Sequence, residues 1–301
     1  MSTVTPVAGI RSVELEITGT CQLACTHCCT DSGPKAGPGA MTRDDWQHVI
    51  ADVAELGIPA VQLIGGEPTL SPYLPHYIAQ AADAGLSVEV YSNLAHVRPA
   101  VWAALGRPGI ALATSYYSDD AAQHEQITNG RGSHARTRAN IVNALERGIP
   151  LRVGMVEVIE GQRIEEGKAE LLRLGVTRVQ VDRARKIGRA AEPNGTGPTT
   201  AELCGHCFRH RVSIDPDGNV SGCILSRDLV AGNVRERRLA DILNSGRWAE
   251  ITATVPMPMP MPRAACTPHD SNDCDPASTP ACLPAHEQLL PAPVPSLEAL
   301  A

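Results

Sequence analysis

Apolar and polar positions alternate in short runs along the first 190 residues, with helical stretches between the runs. Val13-Glu14-Leu15-Glu16-Ile17 alternates strictly, which predicts a strand with one apolar face. Ala60 to Ile64, Ser87 to Tyr91, Ile110 to Ser115, Leu151 to Val158 and Val179 to Asp182 predict five more strands. Trp46, Val49, Ile50, Val53 and Leu56 keep helical spacing between Thr42, whose hydroxyl can cap the first turn with Asp45, and the stop at Gly57. Further helices are predicted over Tyr73 to Ala84, Pro99 to Leu105, 134–147 and Ile164 to Leu174. Six alternations of strand and helix demand parallel strands joined by crossover helices. The pattern does not separate an open doubly wound sheet from a barrel, but either fold binds ligands at the carboxyl ends of its strands.

From about residue 191 the pattern changes. Glu192 to Pro198 reads as a linker. Arg211 to Ile214 and Asn219 to Cys223 flank Asp215-Pro216-Asp217-Gly218, which predicts a hairpin. A helix is expected from Leu239 to about Trp248, and Val255 to Pro262 alternates proline into an extended spacer. The predicted division is an N-terminal arm over 1–11, a main domain over 12–190, a second domain over 191–284 and a flexible tail over 285–301.

Composition narrows the function. At 301 residues the chain holds one large domain, or one plus a small appendage. A net charge of −7 excludes the basic field that nonspecific nucleic-acid binding needs. No apolar run reaches the roughly 18 residues of a membrane span, and Met1 to Arg11 lacks a signal-peptide pattern. Ten cysteines in such a chain point to metal rather than disulfides, and to a reducing, cytoplasmic setting.

Cys21, Cys25 and Cys28 form C-x3-C-x2-C directly after the first strand. Three thiolates can hold three irons of a four-iron cluster and leave the fourth open for chemistry; a zinc site is the competing reading. Gly65-Gly66-Glu67-Pro68 closes the second strand. With both motifs in this order, residues 10–190 resemble the radical S-adenosylmethionine (SAM) superfamily. The resemblance implies a partial (β/α)6 TIM-like barrel, a [4Fe-4S] cluster on Cys21, Cys25 and Cys28, and reductive cleavage of SAM to a 5′-deoxyadenosyl radical that takes a hydrogen atom from substrate. It also implies an external reductant such as flavodoxin or ferredoxin.

Cys207, Gly218 and Cys223 form C-x10-G-x4-C, similar to the start of the SPASM and Twitch extensions that hold auxiliary clusters. The C-x7-C-x7-C of Cys266, Cys274 and Cys282 departs from the full SPASM pattern, so one auxiliary [4Fe-4S] cluster is expected. Cys207 and Cys223 lead its ligands, followed by Cys204, with Cys266 or Cys274 completing the set. A structural zinc ribbon also fits these cysteines, and Cys282 is either a ligand or a free thiol.

Around the first cluster, Gly65 and Gly66 let the backbone approach the SAM ammonium, and Glu67 beside Pro68 adds a carboxylate partner. His27 takes the place of the aromatic usual in the family. Asn93 and Ser115 are candidates for the ribose hydroxyls, or plain strand-end caps. Arg183 or Arg185 would pair with the SAM carboxylate. Gly188-Arg189-Ala190 is similar to a GRA stretch common in SPASM-type enzymes. Cys29 is buried filler or a hydrogen-atom donor, and Tyr116 and Tyr117 face substrate or pack a loop. The leading expectation is a radical SAM oxidoreductase acting as a peptide maturase, which crosslinks or epimerises a ribosomally made peptide. A separate leader-peptide-binding protein would then serve as partner. The other expectation is a Twitch-type epimerase or dehydrogenase of a small molecule such as an aminoglycoside.

Overall fold

The computed structural model describes residues 9–191 and 200–257. The linker, most of the proline spacer, Cys266, Cys274, Cys282 and the flanking arm and tail lie outside the described residues. Six strands lie side by side in chain order: β1 (Ser12–Glu16), β2 (Ala60–Ile64), β3 (Ser87–Tyr91), β4 (Ile110–Ser115), β5 (Leu151–Glu157) and β6 (Val179–Arg183). Each is parallel to the next, with registers such as Leu15↔Leu63, Leu63↔Val90 and Val90↔Leu112. Crossover segments hold α1 (Arg43–Glu55), α2 (Leu74–Asp83), α3 (Pro99–Leu105), α4 (Ala121–Thr128), α5 (Ser133–Glu146) and α6 (Ile164–Leu174).

Local chemistry sets these boundaries. Thr42 and Asp45 close a reciprocal cap on α1, with Asp45 N donating to Thr42 Oγ1 at 3.2 Å and Thr42 N to Asp45 Oδ2 at 2.8 Å. Gly57 follows at φ +70°, a left-handed conformation that favours glycine. Trp46, Val49, Ile50 and Val53 are buried, as their spacing predicts. The helix α4 escapes the pattern because it buries only His124, Ile127 and Thr128. Asp120 caps it through Gln123 N at 2.9 Å.

The alternation of β1 sorts the two sides of the sheet. Val13 and Leu15 are fully buried in the large apolar core. Glu14 and Glu16 project to the other face, where the interior is polar. Glu89 on β3 accepts Arg152 Nε and Nη2 at 2.9 and 2.8 Å, and Gln62 Nε2 joins it at 2.5 Å. The side chains of Glu89 and Arg152 are 0% and 5% exposed, so each needs the other to remain charged there.

The second half continues the same sheet. Strand β7 (Arg211–Ile214) pairs in parallel with β1, Ser12↔Arg211 through Leu15↔Ile214. Strands β8 (Asn219–Ser221) and β9 (Gly232–Asn233) follow antiparallel. The predicted hairpin forms around Asp215, whose Oδ1 accepts from Asp217 N and Asn219 N, both at 2.9 Å. It extends the sheet of the six strands instead of folding apart from it. The helix expected from Leu239 to Trp248 divides into α7 (Leu239–Leu243) and α8 (Gly246–Thr254). Ser245 starts the second piece by accepting from Trp248 N at 3.1 Å. Among the described residues, no helix is long and apolar enough to cross a membrane.

Candidate active site

A cavity of about 280 Å³ touches the carboxyl ends of the strands from β1 round to β6, so the sheet curves around it. Cys21, Cys25 and Cys28 all open on it. Their loop is held by the barrel: Cys21 N donates to Gly33 O at 3.2 Å, and Ala24 N and Thr26 N donate to the last carbonyls of α4 at 3.2 and 2.9 Å. Sulfur already receives donors, with Leu23 N at 3.4 Å and Asn93 Nδ2 at 3.6 Å from Cys21 Sγ. Burial pushes the Cys21 thiol up to about 11 and Cys25 up to about 12, and the neighbouring thiolate charge raises both further. A cationic centre between them would reverse that repulsion and deprotonate them. Three converging thiols with amide donors aimed at sulfur therefore fit an iron–sulfur cluster.

Gly65 and Gly66 form the neighbouring wall, for a reason that differs from the expected one. A Cβ on Gly65, which sits at φ +148°, would stand 2.4 Å from Thr18 O, and one on Gly66 would stand 2.4 Å from Thr20 O. Gly66 N and Glu67 N donate to those same carbonyls at 2.7 and 2.9 Å. The glycines thus let the β2 loop lie directly on the chain that enters the cysteine loop. Glu67 is fully buried behind this wall and does not line the cavity. Its carboxylate accepts Thr69 N, Thr69 Oγ1, Ser92 Oγ and Asn93 N at 2.7–3.0 Å, which ties the β2 loop to the β3 loop. Pro68 begins the buried 3-10 turn Pro68–Leu70 beside it. In this structure the Glu67 carboxylate acts as an internal brace.

Asn93 and Ser115 do line the cavity. Asn93 Oδ1 accepts Gln22 Nε2 at 3.0 Å, and its amide reaches Cys21, so it also braces the cysteine loop. The Ser115 hydroxyl lies 3.1 Å from Tyr91 OH and also bonds the Tyr117 side chain. Arg183 reaches the cavity while its Nη1 donates to Glu202 Oε2 at 2.8 Å. Arg185 binds Asp182 Oδ2 at 2.9 Å and donates to Glu202 O, also at 2.9 Å. Cys29 opens on the cavity too, and burial raises its thiol well above the ordinary range.

Tyr116 does not line the cavity. It is fully buried on the helix side, donating to Glu170 Oε2 at 2.6 Å and bonding His134 Nε2 at 2.7 Å. Strand parity explains this: Ser115 and Tyr117 share the cavity face and Tyr116 points away. Tyr117 lines the cavity, as does Tyr91, and His124 joins them by accepting Tyr117 N at Nδ1. His27 packs edge-on against Tyr117 with 5.0 Å between ring centroids. Burial, then the charge of Arg189, pushes His27 down to about 4, so its ring is neutral near pH 7. Its Nδ1 is buried with no hydrogen-bond partner among the described residues.

The hairpin brings Cys223 back to Cys207. Cys204, Cys207 and Cys223 are all buried, and the Cys207 thiol is hydrogen-bonded to both others. Phe208 packs at a tilt against Trp248 with 4.7 Å between ring centroids, and a Cβ on Gly222 would strike the Phe208 ring at 2.2 Å. Glu14 Oε2 accepts Ile224 N at 2.9 Å, which anchors the turn after Cys223 to β1. These thiols are separate from the first cavity, and three of them in contact suit a second cluster.

Comparison with known proteins agrees with both centres. The description "Radical SAM superfamily" matches residues 15–181, more than half of the chain. The SPASM description, "Iron-sulfur cluster-binding domain", matches residues 204–274. An AdoMet-dependent heme synthase of Methanosarcina barkeri is 28% identical over 202 residues, 66% of this chain and 57% of its own. A PqqA peptide cyclase of Xanthomonas campestris is 29% identical over 289 residues, 82% of this chain and 76% of its own. The chain thus spans little more than half of the first relative and about three quarters of the second. The structure of Streptococcus suis SuiB bound to S-adenosylmethionine shares the fold, with a TM-score of 0.66 at 15% identity over 83% of this chain and 68% of SuiB. The chain is an α/β protein with a partial barrel and a C-terminal SPASM region, and it belongs to the radical SAM superfamily.

Proposed function

We propose that the protein is a peptide maturase, which uses radical chemistry in the cavity to crosslink or epimerise a ribosomally made peptide. One observation carries this reading: three thiols, the glycine wall and the ends of six strands converge on one cavity. The relatives support the substrate class, since one is named a peptide cyclase and SuiB has also been solved with its precursor peptide SuiA. When bound, a [4Fe-4S] cluster and SAM supply the reducing electron and the carbon radical that abstracts hydrogen.

The chain's own residues orient and exclude. Cys21, Cys25 and Cys28 would hold the first cluster. Gly65, Gly66, Asn93, Ser115 and Arg183 form the wall against which SAM would lie, with His27 and Tyr117 stacked beside it. Cys29 is the candidate hydrogen-atom donor for an epimerising reaction. Cys204, Cys207 and Cys223 would hold the auxiliary cluster together with Cys266 or Cys274, both inside the SPASM match, which ends before Cys282. Flavodoxin or ferredoxin is the proposed reductant, and a separate leader-binding protein the proposed partner.

The test uses full-length protein reconstituted with iron and sulfide, reduced with dithionite and supplied with SAM. Short peptides encoded beside its gene are compared with aminocyclitols. Substrate-dependent 5′-deoxyadenosine with a peptide product that has lost hydrogen, or gained solvent deuterium, supports the reading. Turnover of the aminocyclitols and not of the peptides would replace it with the small-molecule reading.

A further inference from the structure

Strand β6 ends one edge of the sheet, with no strand beyond it among the described residues. The turn that follows, Gly188–Ala190, crosses the open side and meets the loop that follows β1. Arg189 makes the crossing. Its backbone N donates to Cys28 O at 3.0 Å. Its Nε donates to Cys25 O at 2.8 Å, Nη2 to Ser32 O at 2.7 Å and Nη1 to Asp31 Oδ1 at 2.9 Å. Gly188 makes the approach possible: it sits at φ +59°, and a Cβ there would stand 2.3 Å from Cys28 O. All three guanidinium nitrogens are thus used on the segment from Cys25 to Ser32. Asp31 is 73% exposed at its side chain, so water weakens its neutralisation of the cation.

We propose that Arg189 is a positioning residue for the first cluster. It fixes the Cys25–Cys28 segment from the opposite edge of the sheet and sets a positive charge beside an anionic thiolate set. This rests on the reading of Cys21, Cys25 and Cys28 as ligands. The fork geometry supplies the fixing and the charge tunes the potential, because a nearby cation favours the electron-rich reduced state. Lysine would keep the charge and lose the fork.

The experiment compares full-length wild type, Arg189→Lys and Arg189→Gln after anaerobic reconstitution. Iron loss to a chelator is timed. The EPR signal that SAM perturbs, which marks the SAM-binding cluster, is titrated against potential. The Arg189→Gln protein should lose that cluster several-fold faster and titrate at a more negative potential. The Arg189→Lys protein should share the faster loss but keep a potential near wild type. If both variants match wild type in iron retention and in potential, the proposal is overturned. Should Arg189→Gln fail to fold, the chelator rate of Arg189→Lys decides. A wild type with no SAM-sensitive signal would bring down the ligand reading and this proposal together, whereas a normal wild-type signal with unaffected variants sinks the proposal alone.

Discussion

The two cysteine centres are built in opposite ways. Cys21, Cys25 and Cys28 sit on a loop that owes its shape to other parts of the barrel: α4 carbonyls, Asn93, the glycine wall and Arg189. The sulfurs open on a cavity, and Cys21 and Cys25 pack only with Leu23 and Ala95 in a small cluster apart from the main apolar core. Cys207 and Cys223, in contrast, are themselves part of the core, packed with Phe208, Trp248 and Val212. Among the described residues their surroundings are one hairpin, two short helices and a turn tied to Glu14. The contrast teaches that a reactive centre is set onto a scaffold that folds without it, whereas the second centre is part of what folds. The second centre is therefore expected to need its metal for stability.

Several substitutions would break or sharpen that contrast, the most severe first. Cys223→Ala should leave the first cluster in place and some 5′-deoxyadenosine formation, yet remove nearly all product. Substrate would no longer be held against the radical with water kept out. Product formation at the wild-type rate would show that the second centre is dispensable. Glu89→Gln, which strands the Arg152 charge inside the barrel, should cost about 3–5 kcal/mol by denaturant unfolding. An unchanged unfolding midpoint would mean that water reaches the pair.

Glu16 offers a gentler probe, because it lies between the halves. Its Oε2 meets Arg227 at 3.1 Å, and burial raises its carboxyl to about 7 despite that partner. A folded pKa above the unfolded one means the native state binds the extra proton. The contribution of Glu16 is therefore fully present below about pH 4.5 and lost as pH rises through about 7. Glu16→Gln should flatten the decline in melting temperature between those values, and parallel curves for both proteins would count against it. The mildest change, Thr42→Ala, removes the α1 cap and should cost about 1 kcal/mol without touching either centre. Altered iron content in that variant would contradict the separation of scaffold and site.

Much of this was legible in the chain. Strict alternation in Val13 to Ile17 gave the strand, and the Asp215 to Gly218 turn placed Cys223 near Cys207. What stayed hidden depended on distant partners. The glycines at 65 and 66 answer to carbonyls of Thr18 and Thr20, far away in the chain. The brace role of Glu67 needs Ser92 and Asn93, which only the sheet brings near. The pairing of β7 with β1 spans nearly the whole described chain. Tyr117 was recoverable from strand parity once Ser115 was placed inward. His124 was not, because α4 has too weak an apolar stripe to be seen.

The central claim is that the two centres are separate clusters and that only the first reacts with SAM. Its most direct test is iron content and SAM cleavage in the variant with Cys21, Cys25 and Cys28 all changed to Ala. The expected outcome is a folded protein that loses about four irons, retains about four on the second centre and makes no 5′-deoxyadenosine after reduction. A variant that still cleaves SAM at the wild-type rate, or that holds one zinc and no iron, would contradict it.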